Sequence, residues 1–213
     1  MTRNVDWSHV VLILAAIVPS IILHEVSHGV VALWFGDDTA KRAGRLTLNP
    51  IKHVDPFGTV LLPLMLSLGG LGAFGYAKPV PVNVRKLRNP RQHSLYVSLA
   101  GPLTNVGLAA IALLLFRITE PAYAPFVDTL PLPARFFFWL GLVNVVLAAF
   151  NLLPIPPLDG SAMIERFLPH TWWPTWLRFR QYGFGVLLIL VFLTHALDHV
   201  FNPAIDLWFR LVA

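Results

Sequence analysis

The stretch LHEVSHG, Leu23–Gly29, sets two imidazoles, a carboxylate and a hydroxyl inside the apolar run Val10–Phe35. At about 1.5 Å per residue that run is long enough to cross a hydrocarbon core of about 30 Å. Ionisable groups at such a depth are costly, and by default they are functional. On a helix, His24 and His28 stand one turn apart on one face with Glu25 beside them. This is the HExxH pattern: two imidazole ligands for a metal, and a carboxylate able to act on water at that metal. The same spacing also arises where histidines merely bond to their neighbours, and it is the membrane setting that tips the reading toward ligation.

Composition agrees with that setting. Of the 213 residues, 56% are hydrophobic and only 13% charged, and the mean hydropathy is +0.65, too apolar for an ordinary soluble domain. There is no cysteine, so thiolate sites and disulfides are excluded and any metal must sit on His, Asp or Glu. The net charge of +5 lies in short loops between apolar runs, where it suits anionic lipid and no nucleic acid.

Three further runs read as spans: Ser94–Phe116, Phe136–Leu153 and Tyr182–Leu197. A fifth, Gly58–Phe74, is interrupted by Pro63 and the Gly69–Gly72 cluster, which suits a re-entrant segment better than a straight helix. The residues before the first run, MTRNVDWSH, look like the start of a signal peptide, but the run is too long for one, so it is expected to be retained. LPHTWWPTW, Leu168–Trp176, has the composition of an interfacial belt. The expected fold is therefore an all-α polytopic membrane protein. It has about four transmembrane helices, a re-entrant segment and a small β-hairpin-like loop near the site, formed by GRLTLNP, Gly44–Pro50. Residues 1–213 form a single membrane-embedded domain, with a core at about 10–165 and a C-terminal helical segment at about 180–213.

A catalytic zinc usually takes three protein ligands and leaves one position open, so two histidines need a third partner. The candidate is Asp159, in NLLPIPPLDG, Asn151–Gly160, at the end of the third span. An Asp-Gly pair is also a common turn, and from the residues alone both readings stand. Elsewhere, His53 with Asp55, and His195 with His199, are weaker metal pairs. Turn chemistry and interfacial anchoring account for them better.

Three motifs in order, HEVSH at His24–His28, AGPLTN at Ala100–Asn105 and NLLPIPPLDG, resemble the site-2 protease family of intramembrane zinc metalloproteases. The chain is most similar to the short members without PDZ or CBS domains. The resemblance implies one zinc ion held by His24, His28 and Asp159, with Glu25 as the catalytic carboxylate. It implies Asn151 and Asn105 as residues that position substrate or stabilise the oxyanion. It also implies substrates that are single-pass or other transmembrane proteins, cleaved within or near their transmembrane segments in a bacterial or archaeal cell membrane. LPIPP or GRLTLNP could present backbone to an unwound substrate. A transporter or channel, or a catalytically inactive scaffold stabilised by zinc, are the competing function classes.

One zinc can hold HExxH and Asp159 only if the first and third confident spans run in the same direction. That requires Gly58–Phe74 to re-enter. Re-entry also places twelve of the 16 Lys and Arg residues on one side, the side of the metal site, which the positive-inside rule makes cytoplasmic.

Overall fold

The computed structural model describes residues 7–62, 64–65, 75–120, 127–194 and 197–213. Among these residues every regular element is helical, and three helices are long and apolar enough to cross a membrane: Ser8–Trp34, Pro90–Thr119 and Leu132–Asn151. They belong to α1 (Trp7–Trp34), α3 (Pro90–Thr119) and α4 (Leu132–Asn151); α2 is the single turn Thr39–Arg42. The C-terminal part adds α5 (Ser161–Phe167), α6 (Trp173–Leu193) and α7 (Asp198–Val212).

The expected fourth span is part of α6. That helix starts well before Tyr182 and carries Arg178 and Arg180 in its first half. The expected hairpin is also absent among the described residues. Gly44 turns the chain with φ +63°, and Arg45–Asn49 runs as bends into a 3-10 turn at Pro50–His53.

Residue pairs fix the helix directions. Arg135 reaches Ser8, Asn144 reaches Ser20 and Asp159 reaches His28, so positions rise together along α1 and α4 and the two run parallel. Asn105 meets His24 while Val97 meets His28, so α3 runs antiparallel between them. The outward faces carry Val11, Leu14, Leu103, Ile111 and Leu114, all more than half exposed, as a lipid-facing surface requires. At the far end of the bundle Ala112, Phe116, Leu130, Ala134, Phe138 and Trp208 form a compact cluster. Gly141 is needed there because a Cβ would run into the indole of Trp208, which is how α7 seats itself on α4.

At the metal-site end, the loops after α1 and before α3 are tied together. Arg88 donates through its backbone N–H to the Phe35 carbonyl at 3.0 Å, Lys86 pairs with Asp38 at 3.1 Å, and Asn83 N–H donates to Asp37 at 2.6 Å. Burial pushes the Asp37 carboxyl up, but the Thr39 hydroxyl and the N–H groups of Asn83 and Thr39 more than offset it and hold it below the ordinary value. The chain between α1 and α3 therefore returns to the end it left.

Pro56–Leu61 makes a π-helical turn, capped by Asp55. Pro63 and residues 66–74, with the glycine cluster, lie outside the described residues. The two flanks are described, and they meet: Tyr76 N–H donates to the Gly58 carbonyl at 3.0 Å and the Thr59 hydroxyl donates to the Tyr76 carbonyl at 2.9 Å. Residues 58, 59 and 76 therefore lie at one level.

Candidate metal centre

His24 and His28 come from one face of α1, and their rings lie edge to face at 4.7 Å between centroids. Asp159 arrives from the loop after α4. Prolines 154, 156 and 157 stop the helix from continuing, and the loop closes where Gly160 N–H donates to the Asn151 carbonyl at 2.7 Å. Only glycine fits at 160, since a Cβ would strike the carbonyls of Leu152 and Leu153. One donor atom from each of His24, His28 and Asp159 lies within 4.8 Å of the others.

Proton placement tests whether these donors suit a cation. The Val97 carbonyl can only accept, so at 2.7 Å it requires the proton of His28 on Nδ1. Asn105 Oδ1 makes the same demand of His24 at 2.6 Å. When the rings are neutral, both Nε2 atoms therefore present lone pairs toward Asp159 Oδ2, at 3.1 and 3.4 Å; a ring protonated on both nitrogens would donate to that oxygen instead. That oxygen is buried and has no hydrogen-bond partner. Three lone pairs facing one point repel unless a cation lies among them, and a two-nitrogen, one-carboxylate set is a catalytic zinc donor set.

Gly101 of α3 forms the floor beneath the imidazoles. A Cβ there would lie 2.5 Å from His24 Nε2 and 2.6 Å from His28 Nε2. The adjoining Pro102 has no N–H to give the Ser98 carbonyl one turn back, and Ser98 lines the cavity. Gly101→Ala is expected to displace the rings and weaken metal binding by at least the roughly 10- to 100-fold typical of a disturbed outer partner. Metal retention against a competing chelator measures it; retention equal to wild type would show that the floor yields.

Glu25 lies beside the donors and accepts from Val80 N–H at 2.9 Å through Oε2. Val80 belongs to the irregular segment 75–83, held by Arg45 donating to the Lys78 carbonyl at 2.6 Å and by Lys78 N–H donating to the His53 carbonyl at 2.9 Å. Together these elements enclose a cavity of 320 Å³ lined by Glu25, Asp159, Asn151, Ser98, Glu165 and Arg180, among others. Asn151 donates to the Leu147 carbonyl at 3.0 Å while facing that cavity. Asn105 does not face it: the residue is fully buried, its oxygen on His24 and its nitrogen on Asn144 at 2.8 Å.

The sequence reading missed Gly101, Asn144, Ser20 and the Glu165–Arg180 ion pair, 3.1 Å long at the cavity rim. His53 donates instead to the Thr47 carbonyl at 2.9 Å, and Asp55 caps a turn. His195 lies outside the described residues.

The family model for peptidase family M50 matches residues 12–132 and 130–194. The chain belongs to peptidase family M50. Among M50-related proteins, the candidate zinc metalloprotease YwhC of Bacillus subtilis is 41% identical over 89% of this chain and 84% of its own length. The candidate zinc metalloprotease Rip2 of Mycolicibacterium smegmatis is 34% identical over 93% of this chain and 70% of its own. A candidate archaeal zinc metalloprotease, MJ0611 of Methanocaldococcus jannaschii, is 29% identical over 76% and 73%. No solved structure matches the chain. Membership of M50 makes this chain a metalloprotease, the enzyme class that the three motifs resembled.

Proposed function

We propose that this protein is an intramembrane zinc metalloprotease that cleaves peptide bonds within or near the transmembrane segments of other membrane proteins. The observation that carries the proposal is the meeting of His24, His28 and Asp159 beside Glu25, on helices long and apolar enough to cross a membrane. Zinc held by these three residues would supply a Lewis acid that polarises the scissile carbonyl and acidifies the attacking water.

The chain's own residues do the rest. Glu25, with Oε2 anchored by Val80 N–H, takes the water's proton on its other oxygen and returns it to the leaving amine. Val97 and Asn105 keep the two imidazoles in the ligating tautomer. Asn151, at the cavity wall, contacts the substrate through its amide, whereas the buried Asn105 acts on His24 and not on substrate. A transmembrane helix has every amide bonded internally, so the substrate must unwind locally to reach Glu25. The charge count supports a centre that faces the cytoplasmic side.

The test is cleavage of a single-pass model substrate by the purified protein in liposomes, with product termini mapped by mass spectrometry. New termini are expected inside the substrate's apolar segment, in its cytoplasmic half. Cuts confined to its water-exposed regions, or none, would overturn the proposal.

A further inference from the structure

Behind His24 a chain of buried polar groups crosses all three long helices. Ser20, Asn105 and Asn144 are each 0% exposed. His24 Nδ1 meets Asn105 Oδ1 at 2.6 Å, and Asn105 Nδ2 donates to Asn144 Oδ1 at 2.8 Å. Asn144 Nδ2 donates to Ser20 Oγ at 2.7 Å and to the Leu140 carbonyl at 2.8 Å. The Ser20 hydroxyl donates to the Ala16 carbonyl at 2.7 Å. The chain thus leaves α1 at His24, passes through α3 and α4, and returns to α1 one turn away.

Its direction is set at the far end. The carbonyls of Leu140 and Ala16 can only accept, so they claim the Asn144 amide nitrogen and the Ser20 proton. Asn144 must then turn its oxygen to Asn105, and Asn105 its oxygen to His24, whose Nδ1 must carry the proton. Nε2 is left with the lone pair. His28 needs no such arrangement because a backbone carbonyl fixes its ring directly. His24 faces a side-chain amide, which could otherwise present either end.

From this we infer that Asn144 and Ser20 are positioning residues of the protease, holding His24 through Asn105 in the one tautomer that ligates the metal. The inference rests on the zinc site proposed above and extends it to two residues that touch neither metal nor substrate.

The test is zinc affinity of the purified protein, measured against a chelator of known strength. Asn144→Leu removes the acceptor for Asn105 and suits a membrane helix. It frees the Asn105 amide to turn its NH2 to His24 and favour the proton on Nε2. Zinc binding is expected to weaken about 10- to 100-fold, kcat to fall with KM unchanged, and the visible spectrum of the Co2+-substituted protein to change. Asn144→Asp still offers Asn105 an oxygen and is expected to bind zinc as wild type does. Wild-type affinity in Asn144→Leu, or an equal loss in Asn144→Asp, would overturn the inference. If Asn144→Leu cannot be recovered folded, Asn144→Ala, which removes the same acceptor, is measured in its place with the same expected loss and the same overturning result. A purely structural role would instead lower the thermal stability of metal-free and zinc-bound protein alike and leave affinity unchanged. Wild-type protein that binds no zinc would sink the site itself, a separate outcome.

Discussion

Glu25→Gln is expected to retain its zinc and to lose activity by roughly 10²- to 10⁴-fold, the usual worth of a positioned general base. Glutamine has the same shape, and its carbonyl oxygen still accepts the Val80 N–H that anchors Glu25 Oε2 at 2.9 Å. Segment 75–83 therefore stays in place, and so do His24, His28 and Asp159, none of which bonds to Glu25. Only the capacity to take a proton is gone. Zinc content by elemental analysis and cleavage of the model substrate separate the two effects. Equal cleavage by variant and wild type would remove Glu25 from the reaction, and loss of zinc with loss of cleavage would make it a structural partner of the site.

Asp159→Ala is expected to do the reverse, costing zinc first and activity as a consequence. Two imidazoles on one helix face hold the ion from one side only, and the carboxylate supplies both the third donor and the only negative charge among the donors. Affinity should fall by more than the roughly 10- to 100-fold that an outer partner is worth. Thermal unfolding gives a second reading. Ligands that bind only the folded state raise its stability by mass action, so wild-type Tm should climb with added zinc while that of Asp159→Ala stays flat. A variant with undiminished zinc affinity would refute the assignment of Asp159.

Two of the three candidate metal donors were legible locally, whereas Asp159 was singled out over an ordinary Asp-Gly turn only by the resemblance of three motifs in order. His24, Glu25 and His28 stand out as ionisable residues in an apolar helix at ligand spacing, while the structure brings Asp159 to the two histidines. Asn105 was legible as a member of AGPLTN, but its direction of action was not. A side-chain amide reads the same from sequence whether it faces substrate or the back of an imidazole, and here it faces His24. Gly101 lay in the same motif unremarked, because a glycine announces nothing until the rings above it are in place. The expected fourth span, Tyr182–Leu197, is not confirmed, and its described helical part lies in a longer helix. Hydropathy marks where α6 is apolar, whereas helix propensity carries it back through Arg178 and Arg180 to Trp173.

Sequence by itself determined that this chain lives in a membrane, that any metal must rest on His, Asp or Glu, and that a zinc shared by HExxH and Asp159 requires the first and third confident spans to run parallel. Those conclusions follow from transfer free energies, ligand chemistry and the counting of crossings, none of which needs coordinates. Tertiary structure decided how the ligands are oriented. Ser20, Asn105 and Asn144 are far apart in the chain and individually commonplace. They become a directed chain of hydrogen bonds only where α1, α3 and α4 bring them within 3 Å of one another. Hydrogen-bond direction is a property of contacts between helices, and periodicity along a single helix carries no record of it.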